Sequence, residues 1–194
     1  AGSSVGNILQ AVMTDRSGNI WLGSFTTLQW YDPERNIFWE PGEKNKALRE
    51  AGANYLTNFY EGNYVWISTA KNFLYRFNPK DSSVLSLAGK YPAGATKATY
   101  YAAEAGGFVY AIHNEGIYSF DTSGRFISFV PAPKKNISNC FYSKNEKALY
   151  LSTYGSGILR YDLQTKQFAG ISYGNDQIGK NHLLSVFKSD DGNI

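Results

Sequence analysis

The sequence holds 194 residues, 43% hydrophobic and 18% charged, with 19 Lys and Arg against 16 Asp and Glu for a formal charge of +3. That is ample apolar material for a buried core and too little charge for a disordered chain or an acidic tail. Lys134-Lys135 is an isolated basic pair, not the stripe that counterion release requires, so no nucleic-acid partner is expected. No apolar run approaches the roughly 20 residues of a membrane span, so this segment is not expected to insert into a bilayer. Cys140 has no second thiol to pair with, and two histidines without paired thiols write no structural metal site. No cofactor is expected.

Aromatic residues make up 16% of the chain, and with many Gly, Ser, Thr and Asn they give the composition of an all-β protein. Read from the N-terminus, residues 7–39 hold four short runs of alternating or β-branched residues separated by turn clusters. Asp15-Arg-Ser-Gly18-Asn19 turns the first hairpin, and Asp32-Pro33 ends the third run. Asn45 to Ala51, with Gly52 as a stop, resembles a short helix. The four-run pattern then returns at 54–87, 98–129 and 136–169, and its opening returns at 181–194.

Landmark aromatics fix the register of this repeat. Trp21 to Trp66 is 45 residues, Trp66 to Tyr110 is 44 and Tyr110 to Tyr150 is 40. Each unit reads as a four-stranded antiparallel meander. A single meander cannot bury both faces, so neighbours must stack, and the unit has the size of a β-propeller blade. One bulky aromatic per unit, always just after the first hairpin, suits packing of blade on blade better than a sugar-stacking platform. Met13 and Cys140 fall in first-strand positions and read as inner packing.

Asp15-x-x-Gly18-Asn-Ile-Trp21-Leu-Gly-Ser24, followed by Leu28-x-x-Tyr31-Asp32-Pro33, resembles the two-component regulator propeller repeat. The resemblance is strong in the first, fourth and fifth repeats and weaker in the second and third. It implies the periplasmic sensor region of a hybrid two-component system of the kind found in gut Bacteroidetes. There, seven-bladed propellers precede an immunoglobulin-like domain, a membrane helix and a histidine kinase, and oligosaccharides are the signal. Similar repeats occur in a propeller protein of the type IX secretion apparatus, so a non-catalytic scaffold is the second reading. Asp15-x-x-Gly18-x-x-Trp21 is also similar to the Asp-box of sialidase-type propellers, which has one residue between Asp and Gly. A sialidase needs clustered arginines and a Tyr/Glu pair, and a propeller glycosidase or lyase ranks third.

Other motifs carry less. Asp190-Asp191 falls in a hairpin turn, where solvated carboxylates belong. Asn136-Ile-Ser138 matches a glycosylation sequon but opens a strand. His113 and His182 share one rim of a propeller, where both are expected as surface histidines rather than metal ligands.

In a propeller the loops leading into first strands and those joining second to third strands share one face, where ligands commonly bind. Phe25, Lys71, Asn72, His113, Asn114 and Tyr154 lie on those loops and offer the aromatic faces, amides and cations that bind sugars. The segment is therefore expected to bind oligosaccharide without catalysis. A fifth inner strand, Leu184 to Lys188, leads toward a blade that the sequence does not finish. Two or three further blades are expected to complete the ring, and an open edge is expected to make this segment self-associate as a homodimer.

Overall fold

The computed structural model describes residues 9–15, 18–24, 28–51, 53–56, 64–69, 74–95, 99–133 and 136–171. The first blade comprises β1 (Leu9–Thr14), β2 (Ile20–Ser24), β3 (Leu28–Asp32) and β4 (Ile37–Trp39). Two short helices follow, α1 (Pro41–Lys44) and α2 (Lys46–Ala51). The second blade is β5 (Ala53–Leu56), β6 (Val65–Thr69), β7 (Leu74–Phe77) and β8 (Val84–Ser86). The third is β9 (Thr99–Ala105), β10 (Phe108–His113), β11 (Gly116–Asp121) and β12 (Phe126–Pro131). The fourth is β13 (Ile137–Ser143), β14 (Ala148–Thr153), β15 (Gly157–Asp162) and β16 (Phe168–Ile171). Each blade is its own antiparallel sheet with its strands in sequence order. The protein is all-β, built of four-stranded propeller blades. The expected fifth inner strand lies outside the described residues.

Turn chemistry sets the hairpins. In the first, second and fourth blades an Asp or Asn after the third strand accepts backbone N–H groups two or three residues on. Asp32 accepts from Glu34 and Arg35, Asn78 from Lys80, and Asp162 from Gln164 and Thr165, at 2.9–3.1 Å. Those N–H groups, with the Arg160 guanidinium, hold the Asp162 carboxyl down at about 2. Asn45 caps the predicted helix, its Oδ1 accepting from Ala47 and Leu48 at 3.0 and 3.3 Å. The preceding α1 is an addition to the expected elements, with Pro at the start of the helix, where its missing N–H costs nothing.

The chain forms two compact units, Ala1–Ala102 with Ser123–Arg125 and Ala103–Thr122 with Phe126–Ile194. In the first unit Trp21 is fully buried and meets Trp30 of its own blade at 5.3 Å and Phe77 of the second blade edge-on at 5.8 Å. Leu48 of α2, Val65, Ile67 and Tyr75 complete that core, and Met13 packs against it. The aromatic landmark therefore does join blade to blade. In the second unit the equivalent positions are Tyr110 and Tyr150, both buried, and Tyr161 of β15 is buried as well. Burial, and then the nearby Tyr110 phenol, push Tyr161 up to about 12. Lys166, on the β15–β16 hairpin, reaches back to the third blade. Its Nζ donates to the Tyr110 hydroxyl at 3.0 Å and lies 5.1 and 5.4 Å from the Tyr110 and Phe108 rings.

Arg76 and Arg160 sit directly across from the landmarks Trp66 and Tyr150. Arg76 stacks on the Tyr64 ring at 4.2 Å, and Arg160 pairs with Asp162 at 3.1 Å. Glu146, from the first hairpin of the fourth blade, accepts the Tyr150 hydroxyl proton. Cys140 is buried and its thiol is pushed up by that burial, in keeping with inner packing.

Candidate functional site

An antiparallel meander pairs the start of its first strand with the end of its second. Leu9 faces Ser24, Ala53 faces Thr69 and Ile137 faces Thr153. The loops leading into the first strand and those joining the second to the third therefore occupy the same end of each blade. At that end the ladder slips by one residue between Leu9 and Ala11, between Ala53 and Tyr55, and between Ile137 and Asn139. The same bulge thus recurs at Gln10, Asn54 and Ser138, and bulges of this kind re-aim the chain beside binding sites. Ser138 Oγ lies 2.9 Å from Ser152 Oγ, and Asn139 Oδ1 accepts from the Cys140 N–H at 2.6 Å. These polar positions escaped sequence reasoning, because a bulge depends on pairing and leaves no period in one strand.

The rim of the fourth blade is fixed from both sides. Tyr154 N–H donates to the Asn136 carbonyl at 2.9 Å, tying the second hairpin to the lead-in. Asn136 takes a left-handed φ of 65°, which Asn tolerates better than most residues. Thr153 Oγ1 donates to the Gly157 carbonyl at 2.8 Å, and Gly155 and Gly157 supply positive φ values of 78° and 74°. β14 is buried along its whole length. Tyr154 follows at its tip, 45% exposed.

The third blade differs from expectation at His113. Its side chain is completely buried, with the ring 4.6 Å from Tyr118, which in turn lies 4.3 Å from Phe129. The surface histidine expected there is a core residue. The cause is the tightness of the turn. Asn114 and Glu115 alone separate β10 from β11, so His113 pairs with Gly116 as the last rung of a ladder covered on both faces. Burial, and then the Glu115 charge, raise the Tyr118 phenol. Gly116 has a φ of 154°, and a Cβ there would fall 2.8 Å from Pro131 Cα.

Of the six residues proposed from sequence, Asn114 and Tyr154 thus stand at equivalent hairpin tips of the third and fourth blades, and His113 lies beneath one of them. Phe25, Lys71 and Asn72 lie outside the described residues. Among the described residues no three His, Cys, Asp or Glu side chains gather as metal ligands do, and no helix is long and apolar enough to cross a membrane.

No family model and no curated protein matches this sequence. Solved structures do match its fold. The extracellular domain of BT3049 from B. thetaiotaomicron, assigned to a hybrid two component system, superimposes with a TM-score of 0.64 at 18% identity, over 88% of this chain and 25% of that one. PorZ, an essential bacterial surface component of the type-IX secretion system of Porphyromonas gingivalis, gives 0.67 at 16% identity, over 94% of this chain and 29% of that one. Virginiamycin B lyase from Staphylococcus aureus gives 0.61 at 14% identity, over 92% and 60%. The chain spans between a quarter and a third of the length of the first two. At these identities the likeness is one of fold.

Proposed function

We propose that this chain is the ligand-sensing, extracytoplasmic propeller segment of a hybrid two-component sensor, in which the bulged rim binds an oligosaccharide and the binding is relayed to a membrane-linked histidine kinase. The observation that carries this reading is Tyr154, an exposed aromatic on a loop fixed by Gly155, Gly157 and the Asn136 carbonyl. A preorganised aromatic face stacks on sugar C–H groups without an ordering cost, and an amide such as Asn114, at the equivalent tip of the third blade, serves the hydroxyls. The likeness to the BT3049 extracellular domain supports the sensor context. Phe25, Lys71 and Asn72 remain part of the proposed site on the sequence repeat alone.

The likeness to PorZ favours a second reading, a non-catalytic interaction propeller of a secretion apparatus. A catalytic reading, prompted by the lyase likeness, ranks third.

The test is a glycan array followed by calorimetry on the intact ectodomain that contains this segment, with and without Tyr154→Ala. Binding of one oligosaccharide class, without turnover and weakened at least about 10-fold by the substitution, is the expected result. No glycan binding would favour the scaffold. Release of product would favour the enzyme.

A further inference from the structure

Side chains paired rung to rung lie on one face of a sheet, so each landmark aromatic begins a row across its blade. In the first blade the row is Trp21, Trp30 and Trp39. Phe77 of the second blade packs on its first two rings, at 5.8 and 6.1 Å. In the third blade the same row is Tyr110, Ser119 and Ser128. Two serines stand where the first blade has two indoles.

The fourth blade brings Tyr161 to that row. Tyr161 holds the repeat position of Phe77, directly before the Asp or Asn that makes the third turn, and the two pair with Leu149 and Val65, each one residue ahead of its landmark. Burial, and then the Tyr110 phenol, raise Tyr161, which sets both phenols at one seam. Where Trp30 meets Phe77, this seam therefore has a hydroxymethyl group and a phenol. Lys166 closes one end of it over Tyr110 and Phe108. Ser119 is only 3% exposed and Tyr161 is fully buried, yet neither hydroxyl has a hydrogen-bond partner among the described residues. Native interiors seldom leave such groups unpaired, and in polar surroundings an internal water satisfies them.

We propose that the seam between the third and fourth blades is a binding site for an internal water, held by Ser119 Oγ and Tyr161 Oη. Water can accept the proton of one hydroxyl and donate to the other, which joins two groups that do not bond each other. The Tyr110 oxygen accepts from Lys166 at 3.0 Å, and its own O–H is a third contact for the same molecule. Three contacts are what an internal water typically makes. A neutral molecule suits the site better than an anion, because Lys166 is exposed and its Nζ is already directed at the Tyr110 oxygen. The first seam, filled by indoles, has no use for such a molecule.

The experiment is oxygen-17 relaxation dispersion of water in solutions of the 194-residue chain. It counts waters held longer than the protein tumbles and is blind to hydroxyl protons. Circular dichroism checks that each variant is folded. Ser119→Val, which removes the hydroxyl and fills its space, should lower the amplitude by one long-lived water. Tyr161→Phe should do the same, while Ser119→Thr, which keeps a hydroxyl, should match the wild type. An unchanged amplitude in either folded Ser119→Val or folded Tyr161→Phe overturns the proposal, and so does a loss in folded Ser119→Thr. A melting temperature raised by chloride over sulfate at equal ionic strength in the wild type, but not in Ser119→Val, would also overturn it by placing an anion in the seam.

Discussion

The indole N–H of Trp21 donates to Oδ2 of Asp15 at 3.0 Å across the turn of the first hairpin, and both side chains are buried. The same carboxylate accepts from the Asn19 backbone N–H and side-chain amide, each at 3.0 Å. Gly18, at a φ of 82°, closes the turn by donating to the Asp15 carbonyl. The Asp-x-x-Gly-Asn-x-Trp spacing thus fastens the hairpin and orients the ring that reaches Phe77 of the next blade. Its role is to hold the hairpin and the ring together.

Two substitutions here should interact. Trp21→Ala is expected to cost about 3–5 kcal/mol through lost burial and a residual cavity. Asp15→Ala is expected to cost about 2–3 kcal/mol through charge-assisted hydrogen bonds left unmade. Because the residues touch, the double variant should fall short of the sum by about 1 kcal/mol in urea melts. Strict additivity would show that the indole and the carboxylate act independently. Trp66→Ala is expected to cost the same few kcal/mol as Trp21→Ala, since Trp66 is equally buried.

Tyr161 should contribute to the alkaline limb of stability, beside Tyr118 and Tyr150, whose phenols are also raised. Its folded pKa of about 12 lies above the ordinary 10.0. The folded state therefore holds the proton more tightly, and the resulting stabilisation is complete below pH 10 and lost as pH rises toward 12. Its hydroxyl is buried and has no hydrogen-bond partner among the described residues. Tyr161→Phe should accordingly be neutral, or stabilising by up to about 1 kcal/mol, at pH 7. It should also flatten the loss between pH 10 and 12, as followed by denaturant melts across that range.

Asp162 acts at the other end of the pH scale. Its folded pKa of about 2 is below the ordinary 3.8, so its contribution is present above pH 4 and disappears as pH falls toward 2. Asp162→Asn keeps an oxygen for Gln164 and Thr165 but cannot titrate. Acid melts of the two chains should converge near pH 2. Parallel curves would assign the acid sensitivity elsewhere.

Two rim glycines should behave differently. A Cβ at Gly116 would fall 2.8 and 2.9 Å from Pro131 Cα and Ala132 N, whereas one at Gly155 would meet nothing within 4 Å. Gly116→Ala is expected to cost more than about 2 kcal/mol through backbone collision. Gly155→Ala should cost about 1 kcal/mol, from its left-handed φ alone. Equal losses in thermal melts would remove the distinction.

The blade pattern was legible because its causes are local. Asp15, Gly18, Asp32 and Asn78 each make their turn with near neighbours in sequence, and one bulky aromatic per repeat is demanded by stacking. His113 misled because burial depends on what covers a strand, and a two-residue turn left it on a rung rather than in a loop. The bulge at Ser138 and the reach of Lys166 likewise depend on partners far away in sequence. Of the proposed rim, loop membership was legible for Asn114 and Tyr154, but the fixing of Tyr154 by Asn136 was not.

The contact of Lys166 with Tyr110 and Phe108 has a bearing on how such chains can be recombined. The seam between the first two blades is apolar and aromatic, and the Trp21 N–H is committed to Asp15. The seam between the third and fourth is a cation hydrogen-bonded to a phenol. A chimera cut between repeats, placing the fourth blade directly after the first, would offer Lys166 an indole that has no oxygen to accept its proton. The transferable module is therefore offset from the repeat, running from the middle of one blade to the middle of the next, so that both sides of a seam travel together.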